Sequence, residues 1–76
     1  MPKDKELRDI IRANLIRLRL AAGKTQADIA KYCEKSENAV GSWEQGLSLP
    51  DIVTLFKLSK LYGVSLDDLY EGGGKE

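Results

Sequence analysis

Residues 36–45, with the sequence SENAVGSWEQ, combine short polar side chains with a glycine in one segment. At helical spacing, a thin apolar stripe is formed by Ala39, Val40 and Trp43. The opposite side carries small hydrogen-bonding groups and one residue without a side chain: Ser36, Glu37, Asn38, Gly41 and Ser42. Such groups offer donors and acceptors for recognition through hydrogen bonds. The pattern therefore favours a binding surface on an exposed helix.

The composition excludes most catalytic chemistry. The chain has no histidine and a single cysteine, Cys33. The commonest general base and a Cys/His zinc site are therefore missing, and one cysteine cannot form a disulfide framework. No pair of carboxylates has a suggestive context, and no stretch resembles a phosphate-binding loop. We expect no enzymatic activity, no cofactor and no metal, and we expect Cys33 to lie in the core.

Charge and hydropathy favour a cytoplasmic protein. The first residues, MPKDKELR, do not form a signal peptide, and no apolar run approaches the roughly 20 residues needed to span a bilayer. The 12 Lys/Arg residues balance 12 Asp/Glu residues overall. Residues 1–35 hold nine basic and five acidic residues, whereas residues 36–76 hold three and seven. Such a chain can present one basic face, with an ordinary mixed surface as the alternative.

The segment of residues 36–45 is predicted to be the third of five helices. A first helix over residues 5–22 has an apolar stripe and ends at Gly23. The second covers residues 25–33, with Thr25 as its N-cap and Asp28 at capping-box spacing. Ser36 caps the third helix, which Gly46 ends. The stripe of the first helix consists of Leu7, Ile11, Leu15, Leu18 and Ala22.

Two further helices complete a compact all-α domain over residues 5–70. Asp51 caps the fourth helix after Pro50, and Gly63 ends it. Its predicted apolar stripe consists of Ile52, Leu55, Phe56, Ser59 and Tyr62. Ser65 begins a short fifth helix. Residues 71–76, EGGGKE, are expected to be a flexible tail or the start of a linker.

The second and third helices, joined by a short turn, form a helix-turn-helix pattern. Many small helical domains contain such a corner, so the position of the polar residues matters more than the corner itself. A helix that enters a DNA major groove, about 12 Å wide, needs side chains that reach base edges and small residues that allow close approach. The polar side of residues 36–45 meets both needs, while Val40 and Trp43 anchor the opposite side.

The run TQADIAKYCEKSENAVGSWEQGLSLP, followed by LYGVSLDDLY, resembles the phage-repressor-type helix-turn-helix family, the Xre, Cro and lambda-repressor group. The resemblance covers residues 8–70 and combines order, spacing and identity across five helices. The matching features are Gly23, Thr25, Gln26, Ala30, Ser36, Val40, the WEQG motif, Pro50 and the GVSLDDL motif. It implies a compact five-helix lambda-repressor-like DNA-binding domain with a central helix-turn-helix.

The resemblance also implies double-stranded DNA as the partner. In this family a glutamine at the position of Gln26 touches phosphate or a base, and helix N-terminal amides hold phosphate near Thr25. Asn38 could pair with adenine, and Glu37 could accept from cytosine N4. The predicted DNA-binding residues are Thr25, Gln26, Lys35, Ser36, Glu37, Asn38, Gly41, Ser42 and Gln45. For several of them the alternative is a structural or solvated role without DNA contact.

The family pattern implies one ion pair in this chain, and the chain departs from the pattern in the turn and in the loop after the third helix. The acid of the WEQG motif pairs in this family with an arginine of the first helix, which implies a structural ion pair between Arg19 and Glu44. The turn usually holds a glycine and then an aliphatic residue, whereas this chain has Glu34 and Lys35 there, so Glu34 would need a positive φ. The loop after the third helix is usually basic, whereas residues 47–49 are uncharged. The remaining cations near DNA would be Arg8, Arg12, Arg17, Lys24, Lys31 and Lys35.

Two functions from different classes follow. The first is a sequence-specific transcriptional regulator, a repressor, that places helix 36–45 in the major groove of a pseudo-palindromic operator as a homodimer. The dimer contact is assigned to residues that could equally close the core: Tyr62, Leu66, Leu69 and Tyr70. The alternative is a protein-interaction module of the same fold, such as an antirepressor or antitoxin-like segment. The neutral net charge and the uncharged loop support this second function.

Overall fold

The chain folds into five helices. The computed structural model describes residues 3–70, so the tail predicted for residues 71–76 lies outside the described residues. The helices are α1 (Asp4–Ala21), α2 (Gln26–Cys33), α3 (Glu37–Gln45), α4 (Ile52–Tyr62) and α5 (Leu66–Tyr70). Every regular element in this range is a helix, which confirms the all-α prediction. None of these helices is long and apolar enough to cross a membrane.

Side-chain caps fix where the helices begin. Thr25 and Asp28 form the predicted capping box, with each side-chain oxygen accepting the other residue's backbone N–H at 3.0 and 2.9 Å. Ser36 and Asp51 each accept the backbone N–H three residues further on, at 3.0 and 2.8 Å. Ser65 caps α5 in the same way. Hydrogen bonds from backbone N–H groups stabilise the ionised carboxylates and lower the pKa values of Asp28 and Asp51.

Left-handed residues end α2, α3 and α4. Gly46 and Gly63 have φ values of 79° and 69°, as a helix C-cap requires. Glu34 ends α2 with a φ of 59°, so a residue with a Cβ occupies the position where the family usually has glycine. This conformation costs about 1 kcal/mol for such a residue. The resulting turn is short and leads directly from α2 into the Ser36 cap of α3.

The core lies between all five helices. Helix α1 packs on α3 and α5, α2 packs on α3 and α4, and α4 packs on α5. Cys33 and Trp43 are buried as predicted, and burial raises the pKa of the Cys33 thiol. The buried apolar residues are Ile11, Leu15, Ile29, Ala30, Cys33, Val40, Trp43, Leu55, Leu58 and Leu69.

Both predicted apolar stripes need correction. Ala22 is exposed because α1 ends one residue earlier and Ala22 is its C-cap. In α4, Ile52 and Phe56 lie on the solvent side rather than in the core. Helix α4 carries apolar residues on both sides, so the i, i+3, i+4 pattern fits two faces. The face that packs on the domain consists of Thr54, Leu55, Leu58 and Ser59.

A buried asparagine in α1 positions α5. The Nδ2 atom of Asn14 donates to the Leu69 carbonyl oxygen at 2.9 Å, and Asn14 Oδ1 accepts from Arg17 at 3.2 Å. Leu69 is fully buried and therefore closes the core instead of forming the dimer contact considered above. Leu66, Tyr70 and Tyr62 are partly buried against the same core.

Candidate nucleic-acid interface

Helix α3 presents a polar face to solvent because its other side is buried. Val40 and Trp43 are core residues, and they fix the side of the helix that points inward. We call the outward side, with its N-cap, the polar face of α3; it consists of Ser36, Glu37, Asn38, Gly41, Ser42 and Gln45. Ser36, Glu37, Asn38 and Gln45 are exposed, whereas Gly41 and Ser42 are partly buried. The structure thus brings six of the nine residues predicted to contact DNA onto one helix.

The ion pair between Arg19 and Glu44 is present and ties α3 to α1. Arg19 Nε and Nη2 donate to the two carboxylate oxygens of Glu44 at 2.6 and 3.0 Å, a bidentate geometry. Arg19 Nη1 also donates to the Lys24 carbonyl oxygen at 2.9 Å. The Arg19 and Glu44 side chains are only 14% and 8% exposed. The hydrogen bond to Glu44 raises the pKa of Arg19, so the guanidinium stays charged in the fold.

Gln26 joins this ion pair, which the sequence reasoning did not foresee. Its Nε2 atom donates to Glu44 Oε1 at 2.9 Å. The two residues are 18 positions apart in the sequence, and no helical spacing connects them. An ionised carboxylate only accepts hydrogen bonds, so the amide nitrogen must face Glu44. The carbonyl oxygen of Gln26 is then left to accept from another donor. Glu44 therefore fixes the start of α2 and the end of α3 relative to α1.

Gly41 lies beside the Gln26 amide. A Cβ atom added at Gly41 would meet Gln26 Oε1 at 3.7 Å and Gln45 Nε2 at 4.0 Å, which are ordinary van der Waals distances. The fold therefore has room for a methyl group here. Packing of α3 against the neighbouring helix therefore does not require a glycine at this position.

Three other predicted residues have partners within the chain. The Ser42 and Ser48 hydroxyls are 2.7 Å apart, which links α3 to the following loop. Lys35 Nζ lies 3.5 Å from Asp51 Oδ2 in an exposed pair. The Thr25 hydroxyl oxygen accepts the capping hydrogen bond, which leaves its O–H able to donate outward. All three side chains remain at the surface near the ends of α2 and α3.

A cation lies beside the uncharged loop after α3. The Arg12 side chain lies against Gly46. A Cβ atom added at Gly46 would be 3.2 Å from Arg12 Cδ and 3.4 Å from Arg12 Nε. The side chain borders a cleft of about 370 Å³ that Gln45 also lines. Helix α3 has no basic residue in its last turn, so Arg12 is a cation placed near its negative end. Sequence reasoning named Arg12 among six candidate cations but could not place it.

A helix-turn-helix family model matches residues 15–69, and the chain belongs to this family. The resemblance to the Xre-type group is thereby confirmed. The chain is 32% identical over 60 residues to the HTH-type transcriptional regulator y4dJ of Sinorhizobium fredii, covering 79% of this chain and 78% of that protein. It is 33% identical over 58 residues to the HTH-type transcriptional activator BcrR of Enterococcus faecalis. That match covers 76% of this chain but only 28% of BcrR. No solved structure gives a significant match.

Proposed function

We propose that this protein is a sequence-specific DNA-binding transcriptional regulator that inserts the polar face of α3 into the major groove. One observation carries the proposal: a helix with small polar side chains outward is held on its other side by Val40, Trp43 and the Arg19–Glu44 pair. Hydrogen bonding to base edges tolerates little rotation of the helix. A bidentate ion pair and a buried tryptophan restrict that rotation.

Individual roles follow from the hydrogen-bonding capacity of each side chain. Asn38 is exposed and can donate and accept in one plane, as adenine N6 and N7 require. Glu37 can only accept while ionised, which suits cytosine N4. Gln26, with its amide nitrogen directed at Glu44, offers a carbonyl oxygen to a base amino group. Thr25 and Ser36 have hydroxyl protons for phosphate oxygens, and Gln45 and the amides that follow it complete the contact.

The electrostatic contribution comes from cations around α3 rather than from its own residues. Lys35 precedes the helix and Arg12 lies against the residue that ends it. The chain is neutral overall, and Glu37 brings an acid close to DNA. A single domain should therefore bind weakly. We infer that two copies bind a two-fold operator, with half-sites about one helical turn apart.

Repression is the mode of regulation we propose, because a protein bound at an operator can block polymerase by occupancy alone. Such a regulator acts in the cytoplasm. The relative BcrR is named as an activator, so a reporter promoter measured with and without the protein decides between the two directions. Lower reporter output in the presence of the protein supports repression, and higher output overturns it.

Selection of bound sites from random duplexes, followed by a salt titration on the winning sequence, tests the proposal. We expect an enriched two-fold motif whose binding constant falls steeply as salt concentration rises. Binding without an enriched motif contradicts sequence-specific recognition. If neither a motif nor a salt slope is found, a protein-interaction module is favoured, such as an antirepressor or antitoxin-like segment.

Two variants separate base contacts from phosphate contacts on the selected site. Asn38→Ala should lose about 1–3 kcal/mol of discrimination at one base pair and leave the other positions unchanged. Lys35→Ala should weaken binding to all sequences alike and reduce the salt slope by about one. Each variant serves as the control for the other. Uniform weakening by Asn38→Ala would remove this residue from base recognition.

A further inference from the structure

A cleft of about 370 Å³ lies between the first half of α1 and the end of α3. Its α1 wall carries three cations, Lys5, Arg8 and Arg12, and its α3 wall consists of Gln45 and Gly46. We call this space the α1–α3 cleft. The family model matches residues 15–69, so the whole α1 wall lies before the matched segment. Membership of the family therefore does not account for this cleft.

The two arginines of the α1 wall have few partners in the chain. Within residues 3–70, Arg8 makes no hydrogen bond or ion pair. Arg12 makes no hydrogen bond in the same range, and its ion pair with Asp9 Oδ1 is long, at 3.9 Å. A guanidinium has several N–H donors in a planar fork and accepts nothing. Both side chains can therefore bind an anion without first losing a strong contact within the chain.

Helix stability does not explain this pair of arginines. Arg8 and Arg12 are four residues apart on one side of α1, where like charges repel each other. The negative end of α3 accounts for a cation at Arg12 but not for a second one at Arg8. The acids of the α1 wall compensate only in part, since Asp9 holds Lys5 at 3.2 Å and Asp4 lies in the favourable first turn of the helix. An anion bound by both arginines would replace their repulsion with two attractive contacts.

The end of α3 needs side-chain donors if a phosphate lies beside it. The backbone N–H groups of Gly46 and Leu47 already donate to carbonyl oxygens of α3, at 3.2 and 3.0 Å. The loop of residues 47–49 carries no charge. Arginine matches the geometry of a phosphate group with two parallel N–H donors. The α1–α3 cleft thus supplies phosphate donors at the place where the loop after α3 lacks them.

We propose that the α1–α3 cleft binds a phosphate group through Arg8 and Arg12. Gln45 lines the cleft and belongs to the polar face of α3, so the cleft lies next to the surface proposed to enter the major groove. One source of the group is a backbone phosphate of DNA, and this assignment rests on the proposed function. The other source is free phosphate, which requires no DNA. With either source, Asp9 competes with the phosphate for Arg12 and weakens binding.

Titration of the full chain with inorganic phosphate, followed by nuclear magnetic resonance, tests the site without DNA. We expect saturable shifts of the Arg8 and Arg12 Nε–H signals and of the Gly46 amide. The dissociation constant should be on the order of 1–10 mM, because so small a ligand binds weakly. The double variant Arg8→Gln with Arg12→Gln should bind phosphate at least about tenfold more weakly. Shifts that do not saturate, or that sodium chloride reproduces at equal ionic strength, would overturn the inference.

Binding to a duplex that carries the selected half-site identifies the source of the phosphate. The same double variant should weaken binding to all sequences alike, and the salt slope should fall by about one because both arginines hold one phosphate. A slope lower by about two would mean two separate phosphates and would overturn the shared site. Lys57→Gln with Lys60→Gln is the matched control, since it removes the same charge from α4, and it should leave the slope unchanged.

Asp9→Asn tests the competition and should tighten binding to the half-site duplex. A gain in affinity cannot arise from a folding defect, so this variant remains informative if the double variant is unstable. Asp67→Asn, an exposed acid of α5, is the control for the change in net charge. Equal effects of Asp9→Asn and Asp67→Asn would overturn the inference.

The two titrations together separate this inference from the proposed function. If the natural chain binds phosphate in the α1–α3 cleft but binds no duplex, the proposed function fails while the phosphate site stands. If it binds the duplex and the double variant binds equally well, the cleft does not hold a DNA phosphate. Saturable phosphate shifts would then assign it to free phosphate, and their absence would overturn the inference.

Discussion

Helices α3 and α4 are similar in length, with nine and 11 residues, yet their outward faces have opposite character. The polar face of α3 exposes short hydrogen-bonding groups such as Asn38. The apolar outer face of α4 exposes Ile52, Val53 and Phe56. In a domain of this size, each helix needs only one side for the core. The composition of the other side is then free to differ from helix to helix, and α3 and α4 differ most there.

The two helices are also held by different forces. Helix α4 is held mainly by apolar burial, with Leu55 and Leu58 in the core. Helix α3 adds directional bonds to its apolar contacts, because Glu44 accepts from both Arg19 and Gln26. Apolar contacts resist separation but allow small rotations and shifts, whereas a bidentate ion pair fixes an orientation. The directional anchor therefore belongs to the helix whose proposed contacts are hydrogen bonds.

The largest expected effect comes from breaking this anchor on one side only. Glu44→Ala should lower the free energy of unfolding by about 3–5 kcal/mol, because it leaves Arg19, whose side chain is mostly buried, without its partner. Replacing both partners, as Arg19→Met with Glu44→Leu, should cost clearly less. Urea unfolding of the three proteins measures both values. If the double variant is as unstable as Glu44→Ala, the pair contributes stability more than orientation, and the contrast between α3 and α4 weakens.

The next largest effect is expected on α4, whose two sides should differ in how much a substitution lowers the free energy of unfolding. Leu58→Ala removes a buried side chain and should cost about 2–4 kcal/mol of unfolding free energy. Val53→Ala, on the apolar outer face, should change it by less than about 0.5 kcal/mol. The comparison uses urea unfolding of both variants at low protein concentration. A cost for Val53→Ala that approaches that of Leu58→Ala would mean that the outer face is packed within the monomer.

Local signals in the sequence were sufficient to predict the five helices. The capping box of Thr25 and Asp28 and the glycines that end α3 and α4 act over three or four residues, so a single sequence contains the whole interaction. The face of α4 was a different problem, because apolar residues lie on both of its sides. Which side is buried depends on how α2 and α5 pack against it, and the local pattern carries no such information.

Contacts between distant residues limited the prediction of the site. The Arg19–Glu44 pair was expected only because of the family resemblance, and the hydrogen bond from Gln26 to the same carboxylate was not expected. The contact between Asn14 and Leu69 spans 55 positions. One signal was available for it, since Asn14 interrupts the apolar stripe of α1 three residues after Ile11. The DNA contacts of the polar face of α3 remain predictions.

The prediction with the smallest effect on stability at neutral pH concerns Tyr62, which lies where α4 meets Glu44 of α3. Tyr62 lines the same small cavity as Val40 and Glu44. Burial, with a contribution from the negative charge of Glu44, raises the pKa of Tyr62 to about 12, from about 10 in an unfolded chain. The folded state thus favours the neutral phenol. Its contribution to stability is complete below about pH 10 and is lost as the pH rises towards 12.

Tyr62→Phe cannot ionise, so its thermal stability should fall less steeply than that of the natural sequence between about pH 10 and about pH 12. Melting curves of both proteins across this interval measure the difference, and lysine deprotonation affects both alike. Parallel pH profiles would mean that the phenol is as well solvated in the fold as in the unfolded chain. The end of α4 would then pack less tightly against Glu44 of α3 than it does in the structure. The position of each of these two helices would not depend on the other.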